Sequence, residues 1–161
     1  MERLSFVLNG DRVETWVEGH EMLLEVLRRN FSLFAAREGC GLGECGACTV
    51  LVDGLNVNSC LFPALEAEGK AVETAEGLAG AEGFHPLQEA FLEYGASQCG
   101  FCTPGMLMSA AAFERENGGR RVGESEIRRA LAGNLCRCTG YFQIVEAVKA
   151  VMSGKEGEND G

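Results

Sequence analysis

The residues of this sequence that most clearly predict chemistry are its cysteines. There are eight, and they divide into two sets of four with none left over: Cys40, Cys45, Cys48 and Cys60, then Cys99, Cys102, Cys136 and Cys138. The chain has 161 residues, 46% of them apolar, so it can bury a core without cross-links. The thiols therefore exceed what packing requires, and metal binding or disulfide formation has to explain them.

The first set has the spacing C-x4-C-x2-C followed by a distant fourth cysteine, which is the spacing of plant-type [2Fe–2S] ferredoxins. A core with two irons needs two thiolates for each iron, so three ligands wrap closely around it and one arrives from elsewhere. Glycines at 39, 41, 43 and 46 allow the loop to curl with its backbone N–H groups directed inward. Such N–H groups can hydrogen-bond the sulfurs and raise the reduction potential. We predict a [2Fe–2S] site.

The second set consists of a C-x2-C pair and a C-x-C pair, and each pair directly precedes a predicted helix. A cluster held by thiolates is anionic. Two helix N-termini aimed at it would supply unpaired N–H groups and favourable dipole ends. This pattern predicts a second cluster, with the two helices running side by side and their ends matched at the site.

Three alternatives compete with iron–sulfur clusters. Zinc ribbons prefer paired C-x2-C knuckles, whereas the first gap here is four residues; a zinc-stabilised interaction module remains open, above all for the second set taken alone. A Rieske centre needs two histidines near cysteines, but His20 and His85 are distant from them in sequence. Disulfides between residues two or three apart would close small, strained loops.

Charge and hydropathy limit the partners and the compartment. The net charge is −10, from 14 basic and 24 acidic residues, so a nucleic-acid footprint is not expected. The longest uncharged run, from Cys99 to Phe113, is too short to span a bilayer. The N-terminus alternates polar and apolar residues and lacks the apolar core of an export signal. We expect no membrane contact and a soluble, cytoplasmic protein, where thiols stay reduced.

Residues 1–75 read as a compact β-rich unit with one helix. Its predicted elements are a hairpin from Leu4 to Val17 around Asn9-Gly10-Asp11, a helix from Met22 to Asn30, strands Thr49–Val52 and Leu55–Leu61 joined at Asp53-Gly54, and a strand within Lys70–Thr74. The Gly-rich cysteine loop lies between the helix and the second hairpin. Cys60 is expected at the end of that hairpin.

Residues 76–84 contain three glycines and two alanines and are predicted to be a linker. Residues 85–152 then read as four short helices, which suggest an all-α bundle. They are expected over Pro86–Tyr94, from Thr103 to Asn117, from near Gly123 or Ser125, and after Gly140. Residues 153–161 contain no apolar side chain and are predicted to be a disordered tail. The fold class is α+β.

Three motifs together resemble the iron–sulfur subunits of the xanthine oxidase family of molybdenum hydroxylases. They read GCGLGECGACTV (Gly39 to Val50), QCGFCTPG (Gln98 to Gly105) and GNLCRCTGY (Gly133 to Tyr141). The likeness runs from about Leu4 to Met152. It implies a β-grasp, ferredoxin-like [2Fe–2S] domain followed by a four-helix-bundle [2Fe–2S] domain.

The resemblance also implies a role for each site residue. In that family the cluster of the helical domain lies next to the molybdopterin, and the ferredoxin-like cluster lies closer to flavin. Cys99, Cys102, Cys136 and Cys138 would thus hold the proximal cluster, and Cys40, Cys45, Cys48 and Cys60 the distal one. Gln98 matches the family's glutamine that contacts the pterin. None of these residues would perform acid–base or nucleophilic catalysis.

The chain is too short to contain a molybdenum or flavin domain. The resemblance therefore implies a large molybdopterin-binding subunit, a medium FAD-binding subunit and a dimer of heterotrimers. The expected function is to relay single electrons from the molybdopterin centre through two [2Fe–2S] clusters to FAD or another acceptor. The loop sequence GECGAC favours an N-heterocycle such as a purine, or an aldehyde, as the substrate. The alternative is a free-standing two-cluster ferredoxin-type electron carrier.

Overall fold

The computed structural model describes residues 1–154. Its N-terminal part is a five-stranded sheet with one α-helix packed on it. The elements are β1 (Glu2–Leu8), β2 (Asp11–Val17), α1 (Leu23–Asn30), β3 (Thr49–Val52), β4 (Leu55–Asn58) and β5 (Ala71–Glu73). The strand order is β2-β1-β5-β3-β4, in which β1 and β5 are parallel and the other neighbours are antiparallel. This is the β-grasp, ferredoxin-like arrangement that was predicted.

Both predicted hairpins form, because their turn residues accept the left-handed backbone that a two-residue turn requires. The φ angles are +51° at Asn9 and +94° at Gly10, and the second turn has the same character. β4 stops at Asn58, three residues before the predicted end. There the N–H of Leu61 bonds the carbonyl oxygen of Asn58 at 2.9 Å and closes a turn. Cys60 consequently lies in a turn and not on the strand.

The core of this part lies between α1 and the sheet. Leu23, Val26 and Leu27 lie on one face of α1 and are fully buried. Each such aliphatic side chain stabilises the fold by about 1.5–3 kcal/mol. A 3₁₀ helix over Ala64–Ala67 closes the same core with two buried alanines. The sequence analysis did not predict this helix.

The C-terminal part contains the four predicted helices: α2 (Pro86–Glu93), α3 (Thr103–Asn117), α4 (Glu124–Ala130) and α5 (Phe142–Gly154). The α+β class is therefore confirmed. α5 extends to Gly154, so the first two residues assigned to the disordered tail form its last turn. The rest of that predicted tail lies outside the described residues. No helix within residues 1–154 is both long and apolar enough to cross a membrane.

α5 makes its main helix contacts with α2 and α4, whereas α3 packs against α2, α4 and the strand β3. The N-terminal ends of α3 and α5 meet at the second cysteine set, as predicted. That the two helices run side by side stays a prediction. The predicted linker, 76–84, is also partly folded: it begins within a 3₁₀ helix, Ala75–Gly77, and its Leu78 is buried in the helical core.

Candidate metal centres

The first cysteine loop directs backbone N–H groups at a sulfur, as its glycines predicted. The Sγ atom of Cys40 accepts hydrogen bonds from the N–H groups of Leu42, Glu44 and Cys45, each at 3.4 Å. These bonds, the one from Leu42 first, lower the pKa of Cys40 to about 7. The backbone N–H groups of the loop thus stabilise the thiolate form of Cys40 by themselves.

Two of these glycines are needed for different reasons. Gly43 has a φ of +76°, and a Cβ there would lie 2.7 Å from the side chain of Leu61. Gly39 has an ordinary φ, but its Cβ would lie 2.8 Å from the Sγ atom of Cys45. Gly43 therefore supplies the left-handed backbone of the loop, and Gly39 leaves the space that the Cys45 sulfur occupies.

Cys48 and Cys60 form the inner half of the first set. Their Sγ atoms lie 3.4 Å apart, although twelve residues separate them in sequence. Burial raises the pKa of Cys48 to about 11. A positively charged metal would reverse this effect, because coordination favours the thiolate.

The second set surrounds the N-terminal ends of α3 and α5. Cys102 is the residue before the first turn of α3, and Cys136 and Cys138 come shortly before α5 begins. The side chains of Cys102 and Cys136 interact directly; burial, and then this contact, raise the pKa of Cys102 to about 12. Cys99 and Cys138 form a second interacting pair, and both are exposed. The two ligand pairs converge as the sequence predicted.

Polar groups of the second loop also point at sulfur. The N–H of Thr139 lies 3.5 Å from the Sγ atom of Cys136, and its hydroxyl lies 3.1 Å away. Burial opposes ionisation of Cys136, but the Thr139 contacts dominate and lower its pKa. The N–H of Cys136 donates to the hydroxyl oxygen of Tyr141 at 2.8 Å, which fixes the C-x-C loop on the helix that follows.

The sulfurs associate in pairs, and this fits a two-iron core. The pairs are Cys40 with Cys45, Cys48 with Cys60, Cys99 with Cys138, and Cys102 with Cys136. Each iron of a [2Fe–2S] core needs two thiolates, whereas structural zinc needs four ligands around one ion. The donor set therefore suits two [2Fe–2S] clusters.

The two loops touch each other, which the sequence analysis did not predict. The backbone N–H of Leu135 donates to the carbonyl oxygen of Cys45 at 2.9 Å. Cys45 belongs to the first cysteine set, and Leu135 directly precedes Cys136 of the second set. One hydrogen bond therefore joins the two cysteine loops. No local signal in the sequence marks this contact.

Gln98 lies on the exposed side of the second set. It precedes Cys99, and both side chains are exposed to solvent. Thr103 and Ser97, which flank this loop, bond each other at 2.9 Å and hold it in place. The position of Gln98 is compatible with a contact outside this chain, which stays a prediction.

Comparisons with known proteins agree with this description. Residues 6–79 match the family model of the 2Fe–2S iron–sulfur cluster binding domain, and residues 74–149 match that of the [2Fe–2S] binding domain. The chain is 50% identical to the xanthine dehydrogenase iron-sulfur-binding subunit of Escherichia coli O157:H7, over 78% of this chain and 79% of that subunit. It is 44% identical to the nicotinate dehydrogenase small FeS subunit of Eubacterium barkeri, over 88% and 89%.

Among solved structures, a chain of quinoline 2-oxidoreductase from Pseudomonas putida 86 superposes with a TM-score of 0.90 at 41% identity, covering 96% of this chain and 95% of that one. Fold and comparisons together define a protein with two [2Fe–2S] binding domains. The chain belongs to the family of small iron–sulfur subunits of the xanthine dehydrogenase and aldehyde oxidoreductase molybdenum hydroxylases. Its role is that of an electron-transfer subunit of such hydroxylases.

Proposed function

We propose that this chain relays single electrons from a molybdopterin centre in a large partner subunit to FAD in a medium subunit. A [2Fe–2S] cluster, when bound, accepts and releases one electron at a time. The two cysteine sets would hold one cluster each: the set of the helical domain nearer the molybdopterin, and the set of the ferredoxin-like domain nearer the flavin. The observation that carries the proposal is the direct hydrogen bond between the two cysteine loops.

The exposure of the sulfurs supports a direction for the relay. Cys99 and Cys138 are exposed on the side of Gln98, so this side is available to a partner's cofactor. Cys102 and Cys136 lie deeper, and Leu135 next to them bonds Cys45 of the first loop. The second set thus has an outer pair facing a partner and an inner pair facing the first set.

The residues between the two sets form a short connection. From the sulfur of Cys136 it runs through the backbone of Cys136 to the N–H of Leu135, across 2.9 Å to the carbonyl oxygen of Cys45, and on to the Cys45 sulfur. It contains one hydrogen bond and otherwise covalent bonds. Such a connection supports electron transfer from one cluster to the other within this chain.

For the substrate, we propose an N-heterocycle such as a purine, or an aldehyde, bound by the large subunit. The names of the similar proteins support both classes: they refer to xanthine, nicotinate and quinoline, which are nitrogen heterocycles, and to aldehydes. We also propose the cytoplasm as the compartment, since reduced thiols are required for cluster assembly. The expected assembly is a dimer of heterotrimers.

Purification of the native complex tests the proposal. We expect a stable assembly several times the mass of this chain, which contains a molybdopterin subunit and an FAD subunit. Each copy of this chain should carry about four iron atoms and about four acid-labile sulfides, two for each cluster. A monomer without these partners would support the free-standing carrier instead. A colourless protein containing zinc would refute both.

A further inference from the structure

Asn134 occupies the junction of the two cysteine loops. It lies two residues before Cys136 and is only 3% exposed, although both its neighbours in sequence are exposed. Burying an amide costs free energy unless its N–H and C=O groups find partners. The partners of Asn134 therefore indicate why an amide stands there.

Each bond of the Asn134 amide reaches a different element. Its Nδ2 atom donates to the carbonyl oxygen of Gly46 in the first cysteine loop at 3.0 Å, and to the hydroxyl oxygen of Thr49 at the start of β3 at 3.2 Å. Its Oδ1 atom accepts a hydrogen bond from the Ser109 hydroxyl on α3 at 2.6 Å. One side chain thus joins the loop of the second set to the loop, the strand and the helix around it.

The backbones of the two loops and of α3 approach one another closely beside this amide. A Cβ atom on Gly105, in the first turn of α3, would collide with the carbonyl oxygen of Gly46. A Cβ on Gly46, where φ is +70°, would collide with the carbonyl oxygen of Gly133. The two loops consequently meet backbone to backbone, and the Asn134 amide determines their register.

We propose that Asn134 is a positioning residue that fixes the separation and relative orientation of the two [2Fe–2S] clusters. The inference rests on the proposed function, because it requires both clusters. An apolar side chain of similar size would stabilise the junction without specifying one arrangement. A fully satisfied polar network is directional and specifies a single one. Asn134 thereby keeps the Leu135–Cys45 hydrogen bond formed.

Asn134→Ala in the intact complex tests the proposal. We expect both clusters to assemble, with unchanged iron and sulfide content. The spin–spin splitting between the two reduced clusters in EPR should be lost or broadened, because their distance is no longer fixed. Inter-cluster electron transfer should slow severalfold, because the tunnelling rate falls steeply as the distance between donor and acceptor grows. Asn134→Asp should also lose the splitting, because its carboxylate still accepts from Ser109 but cannot donate to the Gly46 carbonyl oxygen.

Asn58→Ala is the matched control. The Asn58 amide also donates to a carbonyl oxygen of the first cysteine loop, that of Gly43, at 2.9 Å. It does so within the ferredoxin-like part and does not cross the junction. We expect this variant to change only the signal of the first cluster and to keep the splitting.

Wild-type splitting and transfer rate in Asn134→Ala, with both clusters present, would overturn the proposal. If that variant does not fold, Ser109→Ala takes its place: it keeps Asn134 but removes its 2.6 Å bond, and it should broaden the splitting. Wild-type splitting in Ser109→Ala would then count against the proposal. Wild-type complex without two cluster signals would refute the proposed function itself, so the two failures are distinguishable.

Discussion

The eight sulfurs occupy very different surroundings. Cys48 is 2% exposed within the sheet core, whereas Cys138 is exposed in the C-x-C loop. The loss of one cysteine should therefore affect the assembly of its own candidate cluster and not that of the other. An exposed ligand can also be replaced with little effect on packing, and this makes Cys138 the better position for a test.

We expect Cys138→Ser to remove one of two distinct reduced-state EPR signals and to leave the other. The serine hydroxyl does not replace the thiolate as the fourth ligand of the second cluster, while the first cluster lies in another folded part. Iron content should fall from about four to about two atoms per chain. Cys60→Ser should remove the other signal. If the Cys138 variant keeps both signals, Cys138 is not a ligand.

Gln98→Ala should slow electron transfer from molybdenum to the second cluster while both clusters still assemble. Its side chain is exposed beside Cys99, so truncation should disturb the packing of this chain little. Rapid-freeze EPR after addition of substrate would follow the appearance of the reduced cluster. Gln88→Ala is a control of the same residue type on α2, where the side chain serves helix capping. Wild-type kinetics in the Gln98 variant would mean that the pterin contact is absent or unimportant.

The sequence predicts residues whose role follows from local spacing and fails for those whose role depends on distant partners. The C-x4-C-x2-C run and the two cysteine pairs of the second set were recognised from intervals of two to five residues along the chain. Asn134 was missed because its partners Gly46, Thr49 and Ser109 lie 88, 85 and 25 residues away. In the motif GNLCRCTGY it looks like an ordinary loop residue.

At the scale of elements, the first turn of α3 lies very close to the backbone of the first cysteine loop. Gly105 lies in the first turn of α3, and a helical Gly→Ala change ordinarily stabilises by about 0.5–1 kcal/mol. Here the added Cβ would meet the Gly46 carbonyl, a backbone atom that cannot rotate away. This collision should therefore make Gly105→Ala destabilising, although a helical Gly→Ala change is ordinarily stabilising.

We expect Gly105→Ala to lower the free energy of unfolding by about 1–3 kcal/mol, the usual cost of overpacking a tight site. Denaturant unfolding of the cluster-loaded protein measures it. Gly133→Ala is the control in the same junction, because a Cβ there meets no atom within 4 Å and its φ is ordinary. Equal stability of the two variants would contradict the close approach.

Turn and cap residues made the individual elements predictable. The packing between elements could not be predicted from the sequence. Asn9-Gly10 and Asp53-Gly54 specify their hairpins locally, and Pro86 and Gly95 delimit α2. Periodicity gives each helix an apolar face but does not say which neighbour covers it, so the packing of α3 on β3 was not predicted. The 3₁₀ helix at Ala64–Ala67 is too short to leave a periodic signal.

At the scale of the whole molecule, the two cluster-binding parts share an interface. Leu51 of β3 is fully buried in the core of the helical part, and α3 packs on β3. The cysteine loops meet at one side of this interface. Toward the other end of α3, Arg115 forms a two-bond ion pair with Glu73 of β5, with both bonds at 2.8 Å.

The pair of Arg115 and Glu73 should couple the stabilities of the two parts weakly. Its side chains are 45% and 30% exposed, so solvent screens it, and a coupling energy of about 0.5–1 kcal/mol is expected. A double-mutant cycle with Arg115→Gln and Glu73→Gln, followed by denaturant unfolding, measures this energy. Arg128 and Glu124, paired within α4, are the control, at about 0.3–0.5 kcal/mol. The EPR splitting should persist in Arg115→Gln, because the junction at Asn134 is intact. A coupling energy of zero in the double-mutant cycle would mean that the ion pair contributes nothing to the interface. A lost EPR splitting in Arg115→Gln would mean that the whole interface, and not Asn134, positions the clusters.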